Sequence, residues 1–159
     1  LVQSNFGKIR NLTVAGKVVG RDLDVMYPYE NRRQDDRGSV IVVLATDAPL
    51  LSSQLSQVSK RAALGLGRVG SFAASTSGEI VVAFSTANRT TRASKQTTRQ
   101  LNMSYLSEEF INPIYEAAVE ATEEAVLNAM FCSGGMDGRL GRRAPALPTE
   151  RVLELLGRR

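Results

Sequence analysis

The chain has 159 residues, 43% of them apolar, which is enough for one ordinary domain with a core and too much for a disordered chain. Its 20 Lys and Arg against 16 Asp and Glu leave a formal charge of +4, scattered along the chain, a balance that favours solubility over a nucleic-acid footprint. There is no histidine and a single cysteine, Cys132, so this chain alone builds no Ser-His-Asp triad, no internal disulfide and no cysteine metal cluster.

No apolar run approaches the ~20 residues that span a bilayer. A soluble chain is therefore expected, cytoplasmic rather than periplasmic, with neither membrane nor nucleic acid as partner. The first residue is Leu1 rather than Met, and LVQSNFG reads like the middle of a strand. A fragment or processed chain is the expectation.

In chain order, Leu1 to Asn5 looks extended, and Ile9 to Val19 carries an Ala15-Gly16 turn between two short apolar stretches, as a hairpin does. Asp22 to Gly38 holds Tyr27-Pro28-Tyr29 and a charged, Asn/Arg/Gln/Asp-rich run, the best linker candidate. Val40 to Ala45 is apolar at both alternating positions, the pattern of a strand covered on both faces. Asp47 and Pro49 predict a helix start, followed by Leu51, Leu55, Val58, Ala62 and Leu66 at helical spacing. A second two-faced strand runs from Glu79 to about Ser85, with Gly78 before it and the polar Asn88 to Arg99 segment after it.

Asn112 as cap and Pro113 as first helical residue predict the longest helix, with Ile114, Ala117, Ala118, Ala121, Ala125 and Ala129 as a narrow small-residue face. Burial is the expected use of that face. Ser133 to Gly141 reads as a glycine-rich loop, and Thr149 opens a short amphipathic tail with Val152, Leu153, Leu155 and Leu156. Strands alternating with long helices point to a layered α/β (α+β) fold.

Several motifs have plain explanations. Gly65-Leu66-Gly67-Arg68-Val69-Gly70 has G-x-G-x-x-G spacing but follows a helix instead of a strand, so helix termination is expected rather than a dinucleotide site. The sequons at Asn11, Asn88 and Asn102 bear only on a secreted eukaryotic protein and carry no weight. Arg89, Arg92, Lys95 and Arg99 have no aromatic residues among them to stack bases and read as a solvated loop. Cys132, at a helix end, is most simply a small packing residue. Ser77 and Glu79, two apart on an extended segment, project to one face as a hydroxyl and a carboxylate, either a neighbouring pair or two solvated side chains. Gly38-Ser39 is open in the same way, since a turn glycine ahead of a strand-opening serine is common.

Together, LVQSNFG, RGSVIVVLATDAPLL around Ser39, SGEIVVAFSTAN from Ser77 and INPIYEAAVEATEEAVLNAM from Ile111 resemble the L-aminopeptidase/D-esterase family, which includes the β-peptidyl aminopeptidases. The resemblance runs essentially the whole length of the chain. It implies a precursor about twice as long, in which residues 1–38 are the C-terminal end of an α part with its linker and residues 39–159 are the β part. Together these would be one portion of a single larger domain. The implied fold is a four-layer α-β-β-α sandwich of the self-processing N-terminal-nucleophile type, incomplete here because the N-terminal half is missing.

By the same resemblance the precursor cuts itself between Gly38 and Ser39, and the freed Ser39 becomes the nucleophile. Its new α-amino group, with an unperturbed pKa of about 7.7–8.0, can serve as base where histidine is absent. Ser77 and Glu79 match positions that complete the site, Ser77 hydrogen-bonding the nucleophile and Glu79 orienting or accepting protons. Asn5 matches an oxyanion-hole asparagine. The expected substrate is a short peptide or amino-acid amide, with no metal or organic cofactor and with assembly into a homo-oligomer. Two rival readings are an acyltransferase similar to ornithine acetyltransferases, whose nucleophile is threonine, and an uncleaved, non-catalytic fragment.

Overall fold

The computed structural model describes residues 1–26, 38–89 and 102–157. Most of the linker candidate, together with Arg92, Lys95 and Arg99, lies outside the described residues.

The centre is a three-stranded sheet of order β1-β4-β5, formed by β1 (Val2–Asn5), β4 (Gly38–Thr46) and β5 (Ser77–Ser85). β1 runs antiparallel to β4, and β5 runs parallel to it. A parallel pair needs a crossover, and α2 (Ser52–Arg68) supplies it. Val40 and Val42, each 1% exposed, pack with Ala62 and Leu66 of α2 and with Val126 of the longest helix, α3 (Asn112–Phe131). Burying two valines and a leucine this fully contributes roughly 1.5–3 kcal/mol each.

A second cluster gathers around the end of α3. The hairpin of β2 (Thr13–Val14) and β3 (Lys17–Val18) turns at Ala15 and Gly16, both at positive φ, as predicted from Ala15-Gly16. Its Val14 joins Leu12, Val19, Leu23 of α1 (Gly20–Asp24) and Val152 of α4 (Thr149–Leu155). The ammonium of Lys17 donates to the carbonyl of Leu155 at the C-terminal end of α4, where positive charge is favoured. The expected glycine-rich loop after α3 contains a small exposed ribbon, β6 (Met136–Asp137) with β7 (Arg143–Ala144).

Several expectations need correction. α2 begins at Ser52, not near Asp47, because Pro49 is engaged elsewhere: its carbonyl accepts the Leu106 amide. The helix start is satisfied from inside, by Gln54 Oε1 accepting the Leu51 amide at 3.0 Å. Gln54 Nε2 donates to the Leu106 carbonyl at 2.8 Å, which explains how a 4% exposed amide is tolerated. α3 starts one residue early, with Ile111 rather than Asn112 at the cap position.

Its buried seam is Ala118, Val119, Thr122 and Val126, whereas Ala117, Ala121 and Ala129 of the proposed alanine face are exposed. Thr122 enters the core because its hydroxyl donates to the Ala118 carbonyl at 2.7 Å, leaving a methyl for packing. Cys132 is exposed rather than packed. The largest difference concerns sheet coverage. Helices cover one face of β4 and β5, but on the other Ile41, Ile80, Val82 and Phe84 are 41%, 59%, 50% and 45% exposed. The described residues therefore form two of the four expected layers.

The glycines of the G-x-G-x-x-G match serve packing and termination. Gly70, at φ +106°, ends the chain's turn out of α2, while Gly65 lies where α2 meets α3. A Cβ at Gly65 would lie 2.5 Å from the Val119 carbonyl oxygen and 2.8 Å from Thr122 Cβ. Alanine in place of a helical glycine ordinarily gains about 1 kcal/mol. Here the overlap with backbone dominates, and Gly65→Ala is expected to destabilise the protein by ~1–3 kcal/mol, read as a lower urea midpoint. A midpoint that rises would show that the two helices separate freely.

Candidate active site

The sequence-predicted residues converge on one end of the three-stranded sheet, where β4 and β5 begin and β1 ends. The register pairs Asn5 with Ser39 across β1 and β4, and Gly38 with Ser77, Ser39 with Gly78 and Val40 with Glu79 across β4 and β5. Register partners in either kind of pairing project to the same face. Val40 is buried against the helices, so alternation turns Ser39 to the opposite face, with Asn5 beside it. Ser39 and Asn5 are both exposed.

Of the two arrangements that the spacing of Ser77 and Glu79 left open, the structure has the neighbouring pair: the Ser77 hydroxyl donates to Glu79 Oε1 at 2.8 Å. They belong to the helix-side face, in register with Gly38 and Val40. In this uncut chain, alternation thus directs the Ser39 side chain and the hydroxyl–carboxylate pair to opposite faces of one sheet end. What they share is the backbone between Gly38 and Ser39, which lies in the plane of the sheet.

The Ser39 hydroxyl donates to the carbonyl oxygen of the preceding Gly38 at 2.7 Å. The hydroxyl and the neighbouring peptide carbonyl oxygen are therefore already in contact. Gly38 itself is extended, without the positive φ of Gly7 or Gly70. A steric reason also favours glycine here: a Cβ would lie 2.8 Å from the Asn5 carbonyl oxygen and 2.9 Å from Phe6 Cα. Phe6 was not singled out from the sequence, and no local pattern marks it. Only the crossing of β1 over the start of β4 reveals that contact.

A cavity of about 610 Å³ opens along β1, lined by Asn5, Phe6, Lys8, Met130 and Leu147 among others. It reaches Asn5 but not Ser39, Ser77 or Glu79. Past the end of β5, the Asn88 side chain clasps Ser104, donating to its carbonyl at 2.9 Å and accepting its amide at 3.0 Å. Among the described residues, no helix is long and apolar enough to cross a membrane.

The chain as a whole is similar to proteins already described. The model of peptidase family S58 matches residues 1–144. The beta-peptidyl aminopeptidase BapA of Sphingosinicella microcystinivorans is 37% identical, in an alignment covering 98% of this chain and 42% of that protein. A solved structure of a protein from Pyrococcus horikoshii OT3 superposes with a TM-score of 0.84 at 41% identity, covering 98% of this chain and 41% of the other. The L-aminopeptidase D-Ala-esterase/amidase of Ochrobactrum anthropi, described as a variant of the Ntn hydrolase fold, superposes with a TM-score of 0.83 at 35% identity. That match covers 99% of this chain and 43% of the other. The chain spans about two-fifths of the length of these relatives, and over that span it has the Ntn-hydrolase-type fold of the Ochrobactrum anthropi enzyme. Matched by the family model along most of its length, the chain belongs to peptidase family S58.

Proposed function

We propose that this chain is the nucleophile-bearing part of a self-processing N-terminal serine aminopeptidase, which removes N-terminal residues from short peptides, amides or esters through an acyl-enzyme. The observation that carries the reading is the 2.7 Å contact of Ser39 Oγ with the Gly38 carbonyl, at a position opposite Asn5. In this reading residues 1–38 end an α part and residues 39–159 form the β part. The remainder of the longer enzyme would cover the bare apolar face of β4 and β5.

These contacts support a self-processing step. Ser39 Oγ attacks the Gly38 carbonyl carbon, the peptide C–N bond breaks, and the Oγ proton passes to the departing Ser39 nitrogen. Water then hydrolyses the resulting Gly38 ester, leaving a Gly38 carboxylate and a free Ser39 amine. Because Gly38 is the register partner of Ser77, its departure vacates the position beside the Ser77–Glu79 pair. The new amine is the first group left there, and it can be oriented from the helix side while Oγ works on the other face.

In turnover the amine takes the Oγ proton as Oγ attacks the substrate carbonyl, and that proton leaves with the amine product. The Asn5 amide donates to the oxygen that becomes negative. Water repeats the sequence on the acyl-enzyme.

Intact-protein mass spectrometry of the full reading frame encoding this chain tests the first step. Wild type is expected to give two chains divided at Gly38–Ser39, and Ser39→Ala one uncut chain without activity on an aminoacyl p-nitroanilide. Normal cutting in Ser39→Ala would assign the nucleophile elsewhere. In cleaved enzyme, Asn5→Ala is expected to lower kcat by ~10²–10³ with KM little changed. A loss expressed only in KM would make Asn5 a ground-state contact instead of an oxyanion donor.

A further inference from the structure

Asn5, Ser39 and Gly78 form one row across the sheet, each the register partner of the next. Their side-chain positions share a face, so the Ser39 hydroxyl has an amide on one side and a missing side chain on the other. A Cβ built at Gly78 would sit 3.6 Å from Ser39 Oγ, and no other heavy atom beyond its chain neighbours would come within 4 Å. Gly78 is not at positive φ, so backbone freedom is not what the glycine provides. It provides space. Ile80, 59% exposed, and Ile41, 41% exposed, are register partners on the same face and continue it as an apolar floor.

Resting on the assignment of Ser39 as an aminopeptidase nucleophile, we infer that Gly78 is the platform over which the acyl residue of the substrate lies, and that its missing side chain sets which acyl residues fit. A carbonyl carbon poised for attack stands about 3–3.5 Å from the nucleophilic oxygen. With its oxygen turned to Asn5, its substituents extend across Ser39 to the Gly78 side. A methyl group 3.6 Å from the same Oγ competes for that volume. The competition grows with the bulk of the acyl side chain, which Ile80 and Ile41 would otherwise receive. Gly78 thus acts on specificity, separately from the orienting of the Ser39 amine assigned to the Ser77–Glu79 pair.

Gly78→Ala and Gly78→Val in the full reading frame test this, after mass spectrometry has confirmed cleavage at Ser39. Values of kcat/KM are compared for leucine and glycine p-nitroanilides. The leucine-to-glycine ratio is expected to fall about tenfold in Gly78→Ala, the scale of one methyl group in a pocket, and further in Gly78→Val. Within this chain the alanine Cβ meets only ordinary van der Waals contact, and the melting temperature of each variant checks its folding in the full enzyme. An active wild type whose ratio survives both substitutions overturns the platform alone. A correctly cleaved wild type that turns over neither substrate overturns the aminopeptidase reading itself.

Discussion

Strand β4 is hydrogen-bonded on both sides, antiparallel to β1 and parallel to β5, and the register of those two pairings determines what surrounds Ser39. A slip of one residue in either pairing would turn Asn5 or Gly78 to the opposite face. The same slip would put Ser77 out of step with Gly38. Register is well specified where one face is buried, and here Val40 and Val42, pressed against α2 and α3, hold β4 to a single phase. The core thereby positions the site, with Val40 next to Ser39 in the chain and in register with Glu79.

Helix packing supports that constraint from behind. α2 and α3 approach closely at Gly65, where backbone oxygen and the Thr122 side chain fill the space of a side chain. The close approach lets Ala62, Leu66 and Val126 press on the same two valines. At the sheet end the same economy of side chains recurs for a different reason. Gly38 is small because β1 crosses it, and Gly78 is small beside Ser39, so the peptide bond and the hydroxyl are flanked by positions with no Cβ.

The two faces of the sheet divide the labour. On the helix side the Ser77–Glu79 hydrogen bond lies beside the Gly38 position, and on the other side Asn5 and Gly78 flank the Ser39 hydroxyl. That second face continues into exposed Ile41, Ile80, Val82 and Phe84. An apolar surface of this kind is costly to leave in water, and the relatives carry more than half of their length outside the matched region. A site on the uncovered face would then lie between layers, where water is restricted and the hydrogen bonds of an oxyanion hole are strengthened.

Local chemistry was legible in the sequence alone. The two-faced apolar runs marked β4 and β5, the Ala15-Gly16 turn marked the hairpin, and the two-residue spacing of Ser77 and Glu79 put them on one face, since each depends on residues close along the chain. A strand apolar at every position does not say which face is inward, so the direction of Ser39 came only from the burial of Val40. Pairing between β1 and β4, and between β4 and β5, joins residues roughly 34 to 40 positions apart in the chain. No short-range pattern records such contacts. The same holds for the seam of α3, where an alanine row suggested one face and the approach of Gly65 selected another. Residue types thus determined which groups could react, and tertiary register decided which of them stand side by side, because only folding brings distant strands into phase.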